Sequence, residues 1–274
     1  MTRLNGKTAL ITGSTDGVGR LVAKRLGGAG ARVLVHGRNR ERGERRVAEI
    51  KAGGGSAEFL AADLSALAEV CRLAEAVQQR TDRLDILINN AGIGTGSSGA
   101  PRQTSADGHE LRFAVNYLAG FLLTRLLLPL IRQSAPARIV NVASAGQQAI
   151  VFTDIMLTRG YSGTRAYCQS KLAQIMFTID LAARIDPSAV TVNALHPARS
   201  MNTPRVVEAG FEPLSTVEEG AEATMQLAVS PELDGRTGLY FNGLNEARAN
   251  EQAYDEDARR RLWALSLELT GLSA

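Results

Sequence analysis

Two cysteines in 274 residues, Cys71 and Cys168, are too few for a disulfide framework and fit a reducing cytoplasm. Lysine is scarce as well. Only four of the 31 basic residues are Lys, which with abundant Ala and Gly points to a GC-rich genome and says nothing about mechanism. Charge of one sign is also lacking: 31 basic against 28 acidic residues leave +3, spread through the helical segments, a solvated surface and not a nucleic-acid footprint. Long hydrophobic runs are missing. The longest, Ala119 to Ile131, is interrupted by Thr124 and Arg125 and is too short to span a bilayer. A strand-like segment begins within a few residues of the N-terminus and leaves no room for a signal peptide. The expectation is a soluble, cytoplasmic protein with no membrane anchor. No internal repeat, low-complexity tract or linker divides the chain, so one domain over 1–274 is expected, and a 45% hydrophobic composition can fill its core.

What is present is an alternation of short apolar strands and helical patterns. Lys7 to Thr12 reads as a buried strand that runs into Gly13-Ser14-Thr15-Asp16-Gly17-Val18-Gly19 and then a helix to about Gly28. Glycines at that point let backbone amides approach a pyrophosphate, and the positive end of the helix dipole favours the anion. The spacing G-x-x-x-G-x-G is not the commoner dinucleotide pattern, but its place after the first strand of a βα unit supports the same reading. Further strands are expected at Ala31 to His36, Glu58 to Ala62, Leu84 to Ile88, Ile139 to Val142, Ala189 to Leu195 and Gly238 to Phe241. Helices are expected at Glu41 to Lys51, Ala66 to Gln79, Gly108 to Gln133, Tyr167 to Arg184, 216–229 and Glu251 to Leu269. Such an order implies right-handed crossovers and a parallel sheet that binds ligands at the carboxyl ends of its strands.

The strand ends carry the polar residues: Gly37-Arg38-Asn39, Asp63-Leu64, Asn89-Asn90-Ala91-Gly92, Ser144, and His196-Pro197. The second strand lacks the Asp or Glu that NAD-preferring folds place on the ribose hydroxyls. Arg38 follows at once, and a guanidinium can grip a 2′-phosphate through paired charge-assisted bonds, with Asn39 beside it. Arg40 either adds to this or faces solvent. Asn116, amid apolar neighbours, reads equally as a buried amide satisfied by backbone. His196, beside Pro, reads as structural. Tyr167 and Lys171, four apart on a helix, lie one turn apart on one face. There the ammonium stabilises a phenolate and fits the phenol for general acid-base work.

In the joint order of Gly13-x3-Gly17-x-Gly19, Asp63, Asn89 to Gly92, Asn116, Ser144 and Tyr167-x3-Lys171, the chain resembles the short-chain dehydrogenase/reductase family over nearly its whole length. Ala166 to Ala173 and the tail Arg260-Arg261-Leu262-Trp263 resemble its retinol-dehydrogenase-like branch. The resemblance implies a Rossmann-type, doubly wound, mostly parallel seven-stranded sheet with helices on both faces. It further implies that Tyr167 exchanges a proton with a carbonyl or alcohol oxygen that Ser144 also contacts, while Lys171 holds the nicotinamide ribose and Asn116 anchors a water beyond it. Asp63 and Leu64 would meet the adenine, Asn90 to Gly92 would line the cleft, and Pro197 would lie on the nicotinamide side. There the chain departs from the family, with Pro197-Ala198 for Pro-Gly and a longer following stretch, Arg199 to Thr203.

The expectation is therefore an NADP(H)-dependent reductase of a fairly bulky apolar ketone or aldehyde, binding no nucleic acid, with a homo-oligomer left open. The apolar connection from Gln147 to Thr164 is expected to wall the substrate pocket and Ser200 to Gly210 to form a lid. The alternatives are an NAD-dependent alcohol dehydrogenase and a catalytically idle dinucleotide sensor. A sensor has no need for Asn116, Ser144, Tyr167 and Lys171 together.

Overall fold

The computed structural model describes residues 3–199, 201–202, 212 and 214–273. The chain runs β1 (Thr8–Ile11), α1 (Gly17–Gly28), β2 (Arg32–Gly37), α2 (Arg40–Ala52), β3 (Ser56–Ala61), α3 (Leu67–Arg80) and β4 (Ile86–Asn89). It continues through α4 (Ala119–Gln133), β5 (Ala137–Val142), α5 (Gly163–Ala182), β6 (Val190–His196), α6 (Val217–Val229), β7 (Tyr240–Asn242), β8 (Asn245–Ala247) and α7 (Glu256–Thr270). Side-chain caps start the helices where the sequence supplies them: Asp16 for α1, Asn39 for α2, Ser162 for α5, Thr216 for α6 and Asp255 for α7.

The strands form one sheet in the order β3-β2-β1-β4-β5-β6-β7-β8, parallel except for the last pair. Its side chains alternate between two cores. Ala9, Ile11, Val33, Val35, Ile86 and Ile88 join one with residues of α1, α2 and α6, whereas Leu10, Leu34 and Leu87 join the other with α3, α4, α5 and α7. The doubly wound α/β architecture is as expected, with one strand more among the described residues. β8 escapes sequence reading because three residues show no periodicity. Gly243, at φ 60°, makes the tight turn that folds it back on β7.

The second core is sealed by α7. Trp263 stands edge-on to Phe121 of α4 at 5.4 Å between ring centroids and lies 6.0 Å from Phe177 of α5. Burying rings of this size contributes about 1.5 to 3 kcal/mol each.

One expectation is corrected here. The apolar stretch read as ending short of a membrane span belongs to a continuous helix, Phe113–Gln133, of 21 residues, long and apolar enough to cross a bilayer. Most of it is buried inside the molecule, as befits the central helix of a two-layered core. Its first six residues, Phe113–Leu118, form a π-helical turn with Asn116 inside it. The lid read at Ser200 to Gly210 lies almost wholly outside the described residues.

Candidate active site

The glycine turn is held from below by side chains at the ends of β1 and β4. Thr12 Oγ1 accepts from the amides of both Asn90 and Ala91 at 3.0 Å, and Asn90 Nδ2 donates to the carbonyls of Thr12 (2.8 Å) and Gly13 (3.1 Å). Asn90 thus binds the end of β4 to the turn after β1. The close fit explains the glycines: a Cβ on Gly13, at φ 65°, would lie 2.9 Å from Ala91 Cα, and one on Gly19 would strike Asn90 Nδ2 and the Gly13 carbonyl. Ser14 is buried, its hydroxyl donating to the Ile11 carbonyl and accepting from the His36 amide. Thr15 packs against Gly37, where a Cβ would meet Thr15 Cγ2 at 2.6 Å. Asp16 is exposed and accepts from the Gly17 amide, which opens α1 with Val18 and Gly19 buried in its first turn.

His36, buried at the end of β2, accepts the Gly13 amide through Nδ1 at 3.1 Å. Burial pulls its pKa down from 6.5 to about 4. In the unfolded chain the imidazole takes up a proton as pH falls below 6.5, whereas the folded protein resists until about 4. Stability is therefore complete above 6.5 and declines between the two values, by about 3 kcal/mol in all. His196, whose pKa burial also lowers, adds in the same direction. Denaturant midpoints should fall across this window, and His36→Asn, whose amide oxygen can accept from Gly13 without titrating, should flatten the slope. An unchanged slope would dissociate His36 from the acid sensitivity.

The end of β2 presents Arg38 exposed and outside every ion pair among the described residues. Two neighbours are otherwise occupied. Asn39 Oδ1 caps α2 through the Arg42 amide at 2.8 Å, and Arg40 lies along α2 beside Glu44 and near the Phe59 ring. Asp63 Oδ1 accepts from the Ser65 amide and fixes the turn after β3, with Leu64 buried behind it.

Ser144, one residue beyond the Ala143 that extends β5, and Tyr167, in the first turns of α5, converge on Gly146. A Cβ there would sit 3.5 Å from Ser144 Oγ and 3.6 Å from Tyr167 Cε1. Ser144 is held from two sides: its hydroxyl accepts the Gly146 amide at 3.0 Å, and its carbonyl accepts from Tyr240 Oη (3.2 Å) and Gln147 Nε2 (3.0 Å). Lys171 is 5% exposed, and its Nζ lies 5.8 Å from the Tyr167 ring centroid. That ammonium donates to the Val142 carbonyl at 2.9 Å and to Gln174 Oε1 at 2.8 Å. Gly92 lies between Lys171 and Asn116, since a Cβ there would be 3.5 Å from Nζ and 3.2 Å from Asn116 Oδ1.

The Asn116 side chain accepts from the Ile93 amide at 2.7 Å and donates to the Ile93 carbonyl at 3.1 Å and to Ser170 Oγ at 3.0 Å, so both backbone and side-chain partners hold it. Buried Arg112 was missed altogether. It donates to the carbonyls of Gly94 and Thr95 and to Tyr161 Oη, pinning the segment after Gly92 to the 147–164 connection. Pro197 is buried, and both it and Met201 approach Gly220 of α6. The connection itself leans inward: Phe152, Ile155 and Met156 pack against the second core, and the Arg261 guanidinium covers the Phe152 ring at 4.8 Å.

The candidate site thus sits at the carboxyl ends of β1, β2, β4 and β5, with a phenol, an adjacent hydroxyl and a buried ammonium beside a glycine-bounded helix start. Over residues 7–210 the chain matches the short chain dehydrogenase family, and it belongs to that family of oxidoreductases. Within it the chain falls in the retinol-dehydrogenase-like branch. It is 37% identical to human (Homo sapiens) retinol dehydrogenase 14 over 98% of this chain and 88% of that one, and 38% identical to human retinol dehydrogenase 13 over 98% and 86%. Among solved structures it is similar to an uncharacterized protein from Mycobacterium paratuberculosis (TM-score 0.80, 30% identity, 100% of this chain and 96% of that one). It is also similar to the Pseudomonas aeruginosa RhlG/NADP active-site complex (TM-score 0.69, 30% identity, 88% and 95%).

Proposed function

We propose that this protein is an NADP(H)-dependent reductase of fairly bulky apolar ketones or aldehydes, running in the alcohol direction where the cofactor pool demands it. The observation that carries the reading is the convergence of Ser144 and Tyr167 on Gly146 with buried Lys171 behind them. The glycine turn suits a dinucleotide, because a Cβ at Gly13 or Gly19 would fill the space where the backbone comes close, and α1 begins there. When bound, the cofactor supplies the hydride.

The chain's own residues do the rest. Ser144 donates to the substrate oxygen as negative charge gathers on it, an interaction strongest in the transition state. Tyr167 gives that oxygen its proton, and Lys171 keeps positive charge beside the phenol and reaches the ribose. Gly92 and Asn116 border Lys171, where a water would link it to solvent. Asp63 and Leu64 would meet the adenine, and Asn90 to Gly92 would line the cleft.

An apolar substrate is supported by the relatives named as retinol dehydrogenases and by the largely apolar Val151 to Leu157 segment in the connection between Ser144 and Tyr167. Since Phe152 and Ile155 also belong to the core, their replacement would cost stability, and substrate class is better read from wild-type protein. NADPH consumption should be fastest with bulky apolar aldehydes and ketones in a panel that also holds small polar carbonyls, quinones and sterols. A panel in which small polar carbonyls lead would remove the substrate reading, and one with no turnover would remove the reaction.

A further inference from the structure

Lys171 donates to Gln174, one helical turn further along α5, and Gln174 is 3% exposed. An ammonium has only donors, so it must be the amide oxygen that faces it. At such burial an ammonium deprived of an acceptor is costly.

The backbone of Gln174 is tied into a polar network. Its backbone carbonyl accepts from Thr178 Oγ1 (2.8 Å), Thr178 Oγ1 accepts from Asn141 Nδ2 (2.8 Å), and Asn141 Oδ1 accepts from Asn89 Nδ2 (2.8 Å). Asn89 and Asn141 are register partners on β4 and β5, and Asn89 reaches Thr124 of α4 as well. A polar seam therefore crosses a core built otherwise of Leu, Phe and Ile and ends on the lysine. Gln174 and Asn116 also line one cavity the size of a single water molecule, so the seam meets the other side of the site.

We infer that Gln174 is a positioning residue for the reaction: its side-chain oxygen, with the Val142 carbonyl, sets the place of the Lys171 ammonium relative to Tyr167. This rests on the reading that Tyr167 and Lys171 handle the proton. Lys171 also donates to Val142, so loss of Gln174 would not free the ammonium; it would leave it with one acceptor fewer and a weaker hold beside the phenol. Other titratable groups face the pair from β6 and β7, namely His196 towards Lys171 and Tyr240 towards Tyr167. Both stay in every variant below, so differences between variants report on position 174.

The test reads Tyr167 directly, without substrate, as the tyrosinate absorbance titration of each protein minus that of its Tyr167→Phe counterpart. Gln174→Leu removes the acceptor and disfavours the charged ammonium. Gln174→Glu keeps the bond and sets a negative charge beside the ammonium, offsetting its field at the phenol. Both should move the Tyr167 midpoint to higher pH by about one unit, a tenfold change in phenolate fraction at fixed pH, and the pH limb of kcat/KM should move with it. Gln174→Glu should do so with a thermal midpoint near that of the wild type. A midpoint unmoved in either folded variant would overturn the assignment and leave Gln174 as core filling. Should Gln174→Leu fail to fold, Gln174→Glu decides alone. A shifted midpoint in a protein that reduces no carbonyl would support the positioning while overturning the reaction it was read to serve.

Discussion

Tyr167→Phe should bind NADPH as tightly as the wild type and lose a factor of about 10² to 10⁴ in kcat. The ring is partly buried beside Gly146 and above the Lys171 ammonium, and phenylalanine keeps both of those contacts. What it loses is the single hydroxyl proposed to exchange a proton with the substrate oxygen. Ser144 would still donate to that oxygen, so a residue of turnover from charge stabilisation and hydride delivery should survive. Cofactor affinity by fluorescence titration and single-turnover rates with the best panel substrate separate the two effects. Near wild-type turnover would remove Tyr167 from the chemistry. Loss of turnover together with loss of cofactor binding would show that the substitution had disturbed the cleft, and Ser144→Ala, which removes the hydroxyl that accepts the Gly146 amide at 3.0 Å, would then test the proposed chemistry of the site.

The parts of this site that were legible in the sequence are those written as a residue type at a fixed spacing. Gly13, Gly17 and Gly19 are spaced by the geometry of a strand-turn-helix, and Tyr167 and Lys171 by one helical turn, so each could be placed before any coordinates existed. The polar residues that hold the turn were not legible, because they come from elsewhere in the chain. Thr12 meets Asn90 across 78 residues and His36 meets Gly13 across 23, pairings that exist only once β1 lies between β2 and β4. Gln174 is a partial exception. Its spacing of three from Lys171 puts it on the same helix face, but a glutamine there reads as an ordinary amphipathic position until the fold buries it against the Lys171 ammonium. Asn39 shows the converse: a polar residue at a strand end suggests ligand contact, and the fold reveals that its side-chain oxygen also caps α2. Strand ends in this fold are also helix starts, so capping and binding compete for the same residue types.

The remaining prediction with a large effect concerns the cofactor. Wild-type protein should favour NADPH over NADH, and Arg38→Asp should reverse that preference. The place where an acid would hold the ribose hydroxyls is taken by Gly37, packed against Thr15, and the first charge available beyond it is Arg38. A guanidinium there can meet a 2′-phosphate with two parallel charge-assisted bonds, worth about 1.5 to 3 kcal/mol each where water is excluded. Arg38 is exposed, so screening places the expected preference near the lower end, about tenfold in kcat/KM. Arg40 adds little, being turned along α2 towards Glu44. Asp16 opposes the preference, but its carboxylate is engaged with the Gly17 amide at the start of α1. Gly37 is left unchanged in this design, because a side chain there would press on Thr15 and disturb the glycine turn for both cofactors alike. Arg38→Leu should bring the two cofactors close to parity, and Arg38→Asp should go further, repelling the phosphate while offering the ribose diol an acceptor. A wild-type enzyme that prefers NADH would sink the assignment, and so would an Arg38→Leu variant whose preference for NADPH stays where it was.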